Sequence, residues 1–224
     1  MITTLAANVE RLKRATGASR NCGWMCDEVA FLLYSLVKFF KPELVIQTGH
    51  LWGKSACTVL EAMTDGFLAE RGGLEVEFQD ADKKFATFLR EHSPMRTNQP
   101  PRMISIDPEP MGVPNAFAGI ELIKRTFREN FEFKQMTSVE FFDTFTEDVR
   151  HLRLLGIVDG DHSPEGCLKD LIALEKLGAR QILVDDTNWL PPLKRVAETF
   201  AAEHGYNFMN LDLYNGVGLL TAKR

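Results

Sequence analysis

An α/β fold, a mostly parallel sheet with helices on both faces, is predicted by three features of this 224-residue sequence. Short apolar runs alternate with helix-period segments through the second half of the chain, the pattern of repeated β–α units. One apolar run, Leu44-Val45-Ile46-Gln47-Thr48, closes on a glycine turn that leads directly into a helical stretch. Two later apolar runs end in Asp159-Gly160-Asp161 and Asp185-Asp186, which an α/β sheet would bring to the edge where such folds bind ligands.

Taken in order, 4–15 and 26–40 read as helices, the second from the spacing of Val29, Leu32, Leu33, Leu36, Val37 and Phe40. Lys41-Pro42 stops it, because proline disfavours helical geometry in the residue before it. Strand 44–48 and a helix over 54–69 follow, with Gly72-Gly73 beyond. Residues 72–101 are mixed in charge and rich in proline at their end, and read as an insertion or lid with at most a helix over 80–91. Strands are then expected at 103–106, 131–136, 154–158 and 181–184, separated by helices at 115–130, 139–149, 164–177 and 191–204. Residues 206–211 and 216–222 form a terminal hairpin around Asp-Leu-Tyr-Asn-Gly, so one strand runs antiparallel. The division is an N-terminal helical extension, 1–41, and one ligand-binding domain, 42–224.

Bulk properties narrow the function. Hydrophobic residues make up 45% and charged residues 25%, an ordinary globular balance. The net charge of −5 gives no basic field for a nucleic-acid backbone. Arg11, Lys13, Arg14 and Arg20 read as a solvated helix face. No apolar stretch is long enough to span a bilayer, and the N-terminus lacks the pattern of a signal peptide. The cysteines at 22, 26, 57 and 167 lack metal or redox spacing and read as free thiols of a reducing compartment, so a soluble cytoplasmic protein is expected. The aromatics Trp24, Phe31 and Tyr34 could pack on a second copy of the chain or cover its own site.

The candidate chemistry lies at the strand ends. Gly49 and Gly53, flanking His50, let the backbone turn tightly and approach a ligand. Their spacing is neither the Gly-x-Gly-x-x-Gly of dinucleotide binders nor a Walker loop. Asp107, at the tip of the next strand, is placed to accept hydrogen bonds from a ribose, although Asp-Pro also favours a plain turn. Carboxylates gathered at 159, 161, 185 and 186 would repel one another unless a cation neutralised them, and oxygen donors suit Mg²⁺ or another hard divalent ion. Helix capping by Asp161 or Ser163 is the alternative use. His162 directly follows the acidic strand end, and its near-neutral pKa suits a general base. His50 reads as lining the pocket, while His92, His151 and His204 read as surface residues.

The run Val158-Asp159-Gly160-Asp161-His162-Ser163-Pro164-Glu165-Gly166, followed by Asp170-Leu171 and Val184-Asp185-Asp186, resembles a family of class I S-adenosylmethionine-dependent methyltransferases. That family is similar to the macrocin-type sugar O-methyltransferases and the cephalosporin-hydroxylase-like proteins. The resemblance runs from about residue 43 to 222. It implies a Rossmann-like seven-stranded sheet with an antiparallel last strand. It implies cofactor contacts from Gln47, Gly49, His50, Gly53, Ser55, Asp107 and Asp159, with adenine near Ser138 and Val139. Asp159, Asp185 and Asp186 match positions that hold Mg²⁺ in metal-dependent relatives, and His162 matches the general base. Gln47 departs from the family, which has an acidic residue there. The implied activity is methyl transfer to a hydroxylated small molecule, such as a sugar, polyol or catechol. A catalytically degenerate binding protein, or a nucleotide-binding enzyme of another class, is the alternative.

Overall fold

A computed structural model describes residues 2–17, 25–70, 100–108 and 115–223. The expected insertion at 72–101 and its helix over 80–91 therefore lie outside the described residues except at 100 and 101, as do Trp24, Cys22, Arg20 and His92. Seven strands form one sheet: β1 Leu44–Thr48, β2 Arg102–Ile106, β3 Phe131–Lys134, β4 Leu154–Val158, β5 Gln181–Asp185, β6 Tyr206–Leu211 and β7 Val217–Ala222. The helices are α1 Ile2–Thr16, α2 Asp27–Phe40, α3 Lys54–Glu70, α4 Ala116–Phe127, α5 Ser138–Thr144, α6 Pro164–Lys176 and α7 Pro191–Glu203.

The spatial order is β3-β2-β1-β4-β5-β7-β6. Strands β3 through β5 pair in parallel, and β7 pairs antiparallel with both β5 and β6. This is the seven-stranded Rossmann-like sheet with an antiparallel last strand. The expected hairpin is present, and its second strand inserts between β5 and the hairpin's own first strand. All five residues of β1 and of β4 are buried, which is why these strands read as continuous apolar runs rather than alternating ones.

Each strand feeds both faces. Val45 packs with Leu155, Ile157 and Leu183 against α1–α4, while Leu44 and Ile46 pack with Ile104, Val158 and Ile182 against α5–α7. Leu12, Val29, Leu33 and Val37 of the two N-terminal helices share the first of these cores. Arg11, Lys13 and Arg14 are exposed on the opposite side of α1, the solvated face their spacing implies.

Local signals explain the boundaries. A reciprocal pair, the Thr137 hydroxyl to Glu140 N–H and the Glu140 carboxylate to Thr137 N–H, starts α5. Ser163 caps α6 ahead of Pro164. Helix α5 stops at Thr144 rather than 149. Its Thr144 hydroxyl bonds back to the carbonyls of Glu140 and Phe141, and the chain then descends to bury Val149 beneath the sheet. Among the described residues no helix is long and apolar enough to cross a membrane, and Cys26, Cys57 and Cys167 are free thiols.

Candidate active site

Strand order reverses at β1, with β2 on one side and β4 on the other, and this is where open α/β sheets leave a crevice at their carboxyl edge. The glycine turn sits in that crevice. Gly49 has φ +82°, and a Cβ on it would lie 1.9 Å from the Asp159 carbonyl oxygen. Gly53 has φ +75°, and a Cβ there would meet Ile123 Cδ1 at 2.7 Å. Both positions therefore favour glycine for conformation, and Gly49 for space as well, because its neighbour is backbone. Gln47 is fully buried below the turn, donating Nε2–H to the Gly49 carbonyl at 2.6 Å and to Ser55 Oγ at 2.8 Å. It does not border the cavity, and its amide supports the turn from below.

Asp107 reaches across from β2. Its Oδ2 accepts from the backbone N–H groups of His50, at 3.0 Å, and Leu51, at 3.2 Å. The carboxylate thus organises the turn as well as facing the cavity. His50 is buried, with Nδ1 2.9 Å from Ser105 Oγ and its ring against Phe133. Burial drives its pKa down to about 4, against the opposing pull of Asp107.

The acidic strand ends meet a histidine. Nε2 of His162 lies 3.7 Å from Asp159 Oδ1 and 3.6 Å from Asp186 Oδ2. The carboxyls of Asp159 and Asp185 are held above the usual range by desolvation first and by neighbouring carboxylates second, Asp185 well above it. Asp186 is raised by desolvation too, with His162 opposing. His162 is itself raised, chiefly by the adjacent Asp159 carboxylate. A cation between such groups would relieve both the repulsion and the cost of burial. Donor atoms of Asp159, His162 and Asp186 all lie within 4.8 Å of one another, a spacing that fits one divalent ion. That set joins His162 to two of the three carboxylates the sequence suggested, and Asp185 borders the same cavity. Oδ1 of Asp185 accepts the Asp186 N–H at 2.9 Å.

A cavity of about 1000 Å³ joins these parts. It passes Ser138 and Val139 at the start of α5, Asp107, the glycine turn and the Asp159–His162–Asp186 group, and it reaches Trp189 and Tyr214. Ser55 and His50 border it as well. Sequence reasoning missed five of its contributors: Met25 and Cys26 at the mouth of α2, Lys54 at the start of α3, and the aromatic pair Trp189 and Tyr214. Lys54 Nζ, almost fully buried, bonds the Met25 carbonyl and Asp27 Oδ1, each at 2.6 Å, and so ties the N-terminal segment to the cavity wall. Of these, only Trp189 carried a signal, from its place three residues past the double aspartate.

Comparison with solved structures places this architecture. An O-methyltransferase from Bacillus cereus, solved in complex with S-adenosylhomocysteine, superposes with a TM-score of 0.64 at 12% identity over 99% of this chain and 91% of that one. The O-methyltransferase TomG from Streptomyces achromogenes, involved in tomaymycin synthesis and solved with S-adenosylmethionine, gives 0.65 at 12% identity over 98% and 89%. A methyltransferase from Podospora anserina, PaMTH1, solved with S-adenosylhomocysteine, gives 0.65 at 11% identity over 97% and 88%. No protein-family model matches the sequence, and no curated protein matches it. The chain has the Rossmann-like fold of class I methyltransferases, over nearly its whole length.

Proposed function

We propose that the protein is an S-adenosylmethionine-dependent O-methyltransferase that acts on a hydroxylated small molecule with the help of a divalent cation. The observation that carries this reading is the single cavity that joins the glycine turn to the Asp159–His162–Asp186 group. Residues 42–224 would form the cofactor-binding domain, with 1–41 a helical extension that closes one wall of the site. The likeness to solved O-methyltransferases supports the choice of fold and class.

The cofactor's reach fits the residues present. Gly49 and Gly53 leave the bare backbone that a bulky ligand needs to approach the turn. Asp107 stands at the second strand's tip, where a ribose would lie, and Ser138 and Val139 border the place for adenine. S-adenosylmethionine, when bound, supplies a sulfonium methyl that an oxygen lone pair takes in line, the C–S electron pair remaining on sulfur. A divalent cation held by Asp159 and Asp186 would lower the pKa of a coordinated hydroxyl. Nε2 of His162 would accept that hydroxyl's proton, a role supported by its position 3.6 Å from the Asp186 carboxylate. Positioning in a partly enclosed cavity contributes the rest.

A second reading uses His162 as the third cation ligand, favoured by its grouping with the two carboxylates within 4.8 Å. A liganded Nε2 could not take the proton, so the two roles exclude each other. The test of the function is methyl transfer from radiolabelled S-adenosylmethionine to a panel of catechols, sugars and polyols, with Mg²⁺ and with chelator. Mg²⁺-stimulated labelling of one class supports the proposal, and labelling of none with either addition sinks it.

A further inference from the structure

Helix α6 buries a carboxylate where its period calls for an apolar residue. Its inner face is made by Cys167, Asp170, Leu171 and Leu174, all buried, and Asp170 is only 1% exposed. A carboxylate on such a face costs the fold stability unless hydrogen bonds or a cation compensate it. Among the described residues neither oxygen of Asp170 closes a hydrogen bond, and the charge that acts on it, Asp161, has the same sign. A group kept at that cost, with no use in the packing, is the pattern of a functional position.

The polar neighbours of Asp170 are two hydroxyls. Burial pushes its carboxyl up, and the hydroxyls of Ser138 and then Thr48 draw it back. Thr48 ends β1 and Ser138 begins α5, and both border the cavity, while Asp170 stands behind them. Other polar side chains at this end of the cavity are committed elsewhere. The Thr137 hydroxyl donates to Glu140 Oε2 at 2.8 Å, Lys169 pairs with Glu165 at 2.8 Å, and Asp161 Oδ1 accepts the Ser163 N–H at 2.8 Å. Ser138 is the hydroxyl that stands between the buried carboxylate and the cavity.

We propose that Asp170 is a positioning residue for the cofactor: it takes the Ser138 hydroxyl proton and leaves that oxygen as an acceptor that selects the 6-amino group of adenine over a 6-oxo purine. This rests on the methyltransferase reading above, in which Ser138 borders the place for adenine. A serine hydroxyl has one proton and two lone pairs, and an ionised carboxylate can only accept. With its proton given to Asp170, Ser138 shows lone pairs alone to the cavity and so reads a donor. A 6-oxo group would set two acceptors face to face with no proton between them. The hydroxyl could turn its proton toward that group only by abandoning a buried carboxylate. Selection by a mismatched buried polar pair is stronger than selection by shape, because the two purines have nearly the same outline.

The experiment titrates S-adenosylhomocysteine, and separately S-inosylhomocysteine, whose purine carries a 6-oxo group in place of the amine, into the full-length protein. It is repeated on Ser138→Ala, Ser138→Thr, Asp170→Ala and Asp170→Leu. The wild type should prefer the adenine ligand by about tenfold or more. Ser138→Ala removes the reading group, and the preference should fall below about threefold. Ser138→Thr keeps the hydroxyl and should retain the wild-type preference. Both Asp170 variants free the Ser138 proton to turn to the cavity, one leaving space and the other filling it. In each the inosine ligand should gain affinity, so that the preference falls below about threefold, while the adenine ligand stays within about threefold of wild type. Equal weakening of both ligands in the Asp170 variants overturns the proposal, since a residue that only holds α6 in place would act in that way. So does a wild type without preference, or a preference that survives Ser138→Ala or a folded Asp170 variant. Failure of the folded wild type to bind S-adenosylhomocysteine at all would overturn the methyltransferase reading instead, and this inference with it.

Discussion

The side-chain amide of Gln47 donates to the carbonyl of Gly49 at 2.6 Å, so the first strand holds its own glycine turn from below. A carboxylate at this position, as in the resembling family, could not donate and would face that carbonyl and the Ser55 hydroxyl with two acceptors. Gln47→Glu should therefore destabilise the protein by about 1–3 kcal/mol and weaken S-adenosylhomocysteine binding. Denaturant unfolding and calorimetry check this. Unchanged stability with tighter binding would mean that Gln47 is only a weakened form of the acidic residue.

Gly49→Ala confronts both a left-handed φ and a backbone oxygen 1.9 Å from the new Cβ. We expect a loss of at least about 2 kcal/mol and no measurable cofactor binding. A Gly17→Ala control shares the positive φ, +69°, with open space around it, and should lose only the conformational part.

His162→Ala separates the two roles of that residue. As the proton acceptor its loss should lower kcat by about 10²- to 10⁴-fold, with Mg²⁺ and S-adenosylhomocysteine affinities unchanged. A parallel fall in Mg²⁺ affinity, read by calorimetry on the cofactor complex, would instead identify it as a ligand.

His50 makes stability depend on pH. Burial holds it at about 4 in the folded chain against an ordinary value of 6.5. Above 6.5 neither state is protonated there and the residue carries no penalty. As pH falls from 6.5 toward 4 the unfolded chain takes up a proton that the folded chain refuses, and stability drops by as much as about 3 kcal/mol. Chemical unfolding across pH 4–7 should show this slope in the wild type and a shallower one in His50→Gln.

Much of this fold was legible because its central strands are short and buried on both sides. β1 and β4 are solid apolar runs, and the turn residues after them, Gly49 and Asp159-Gly160, are punctuation that the chain itself supplies. The acidic group was legible for the same reason, since parallel topology carries every strand end to one edge. What did not show depends on distant segments meeting. The insertion of β7 between β5 and β6 is a choice of pairing partner that period alone does not encode. Met25 and Lys54 meet through a bond spanning 29 positions. The pairing of Trp189 with Tyr214 relies on backbone bonds between two loops, and the approach of His162 to both Asp159 and Asp186 depends on the segments after β4 and β5 meeting.

The central claim is that the cavity at the glycine turn holds S-adenosylmethionine, and calorimetric titration of S-adenosylhomocysteine into the purified protein, with and without Mg²⁺, tests it most directly. Micromolar affinity, about −8 kcal/mol, abolished in Gly49→Ala, is the predicted result. Absence of binding to folded wild-type protein under both conditions would contradict the account.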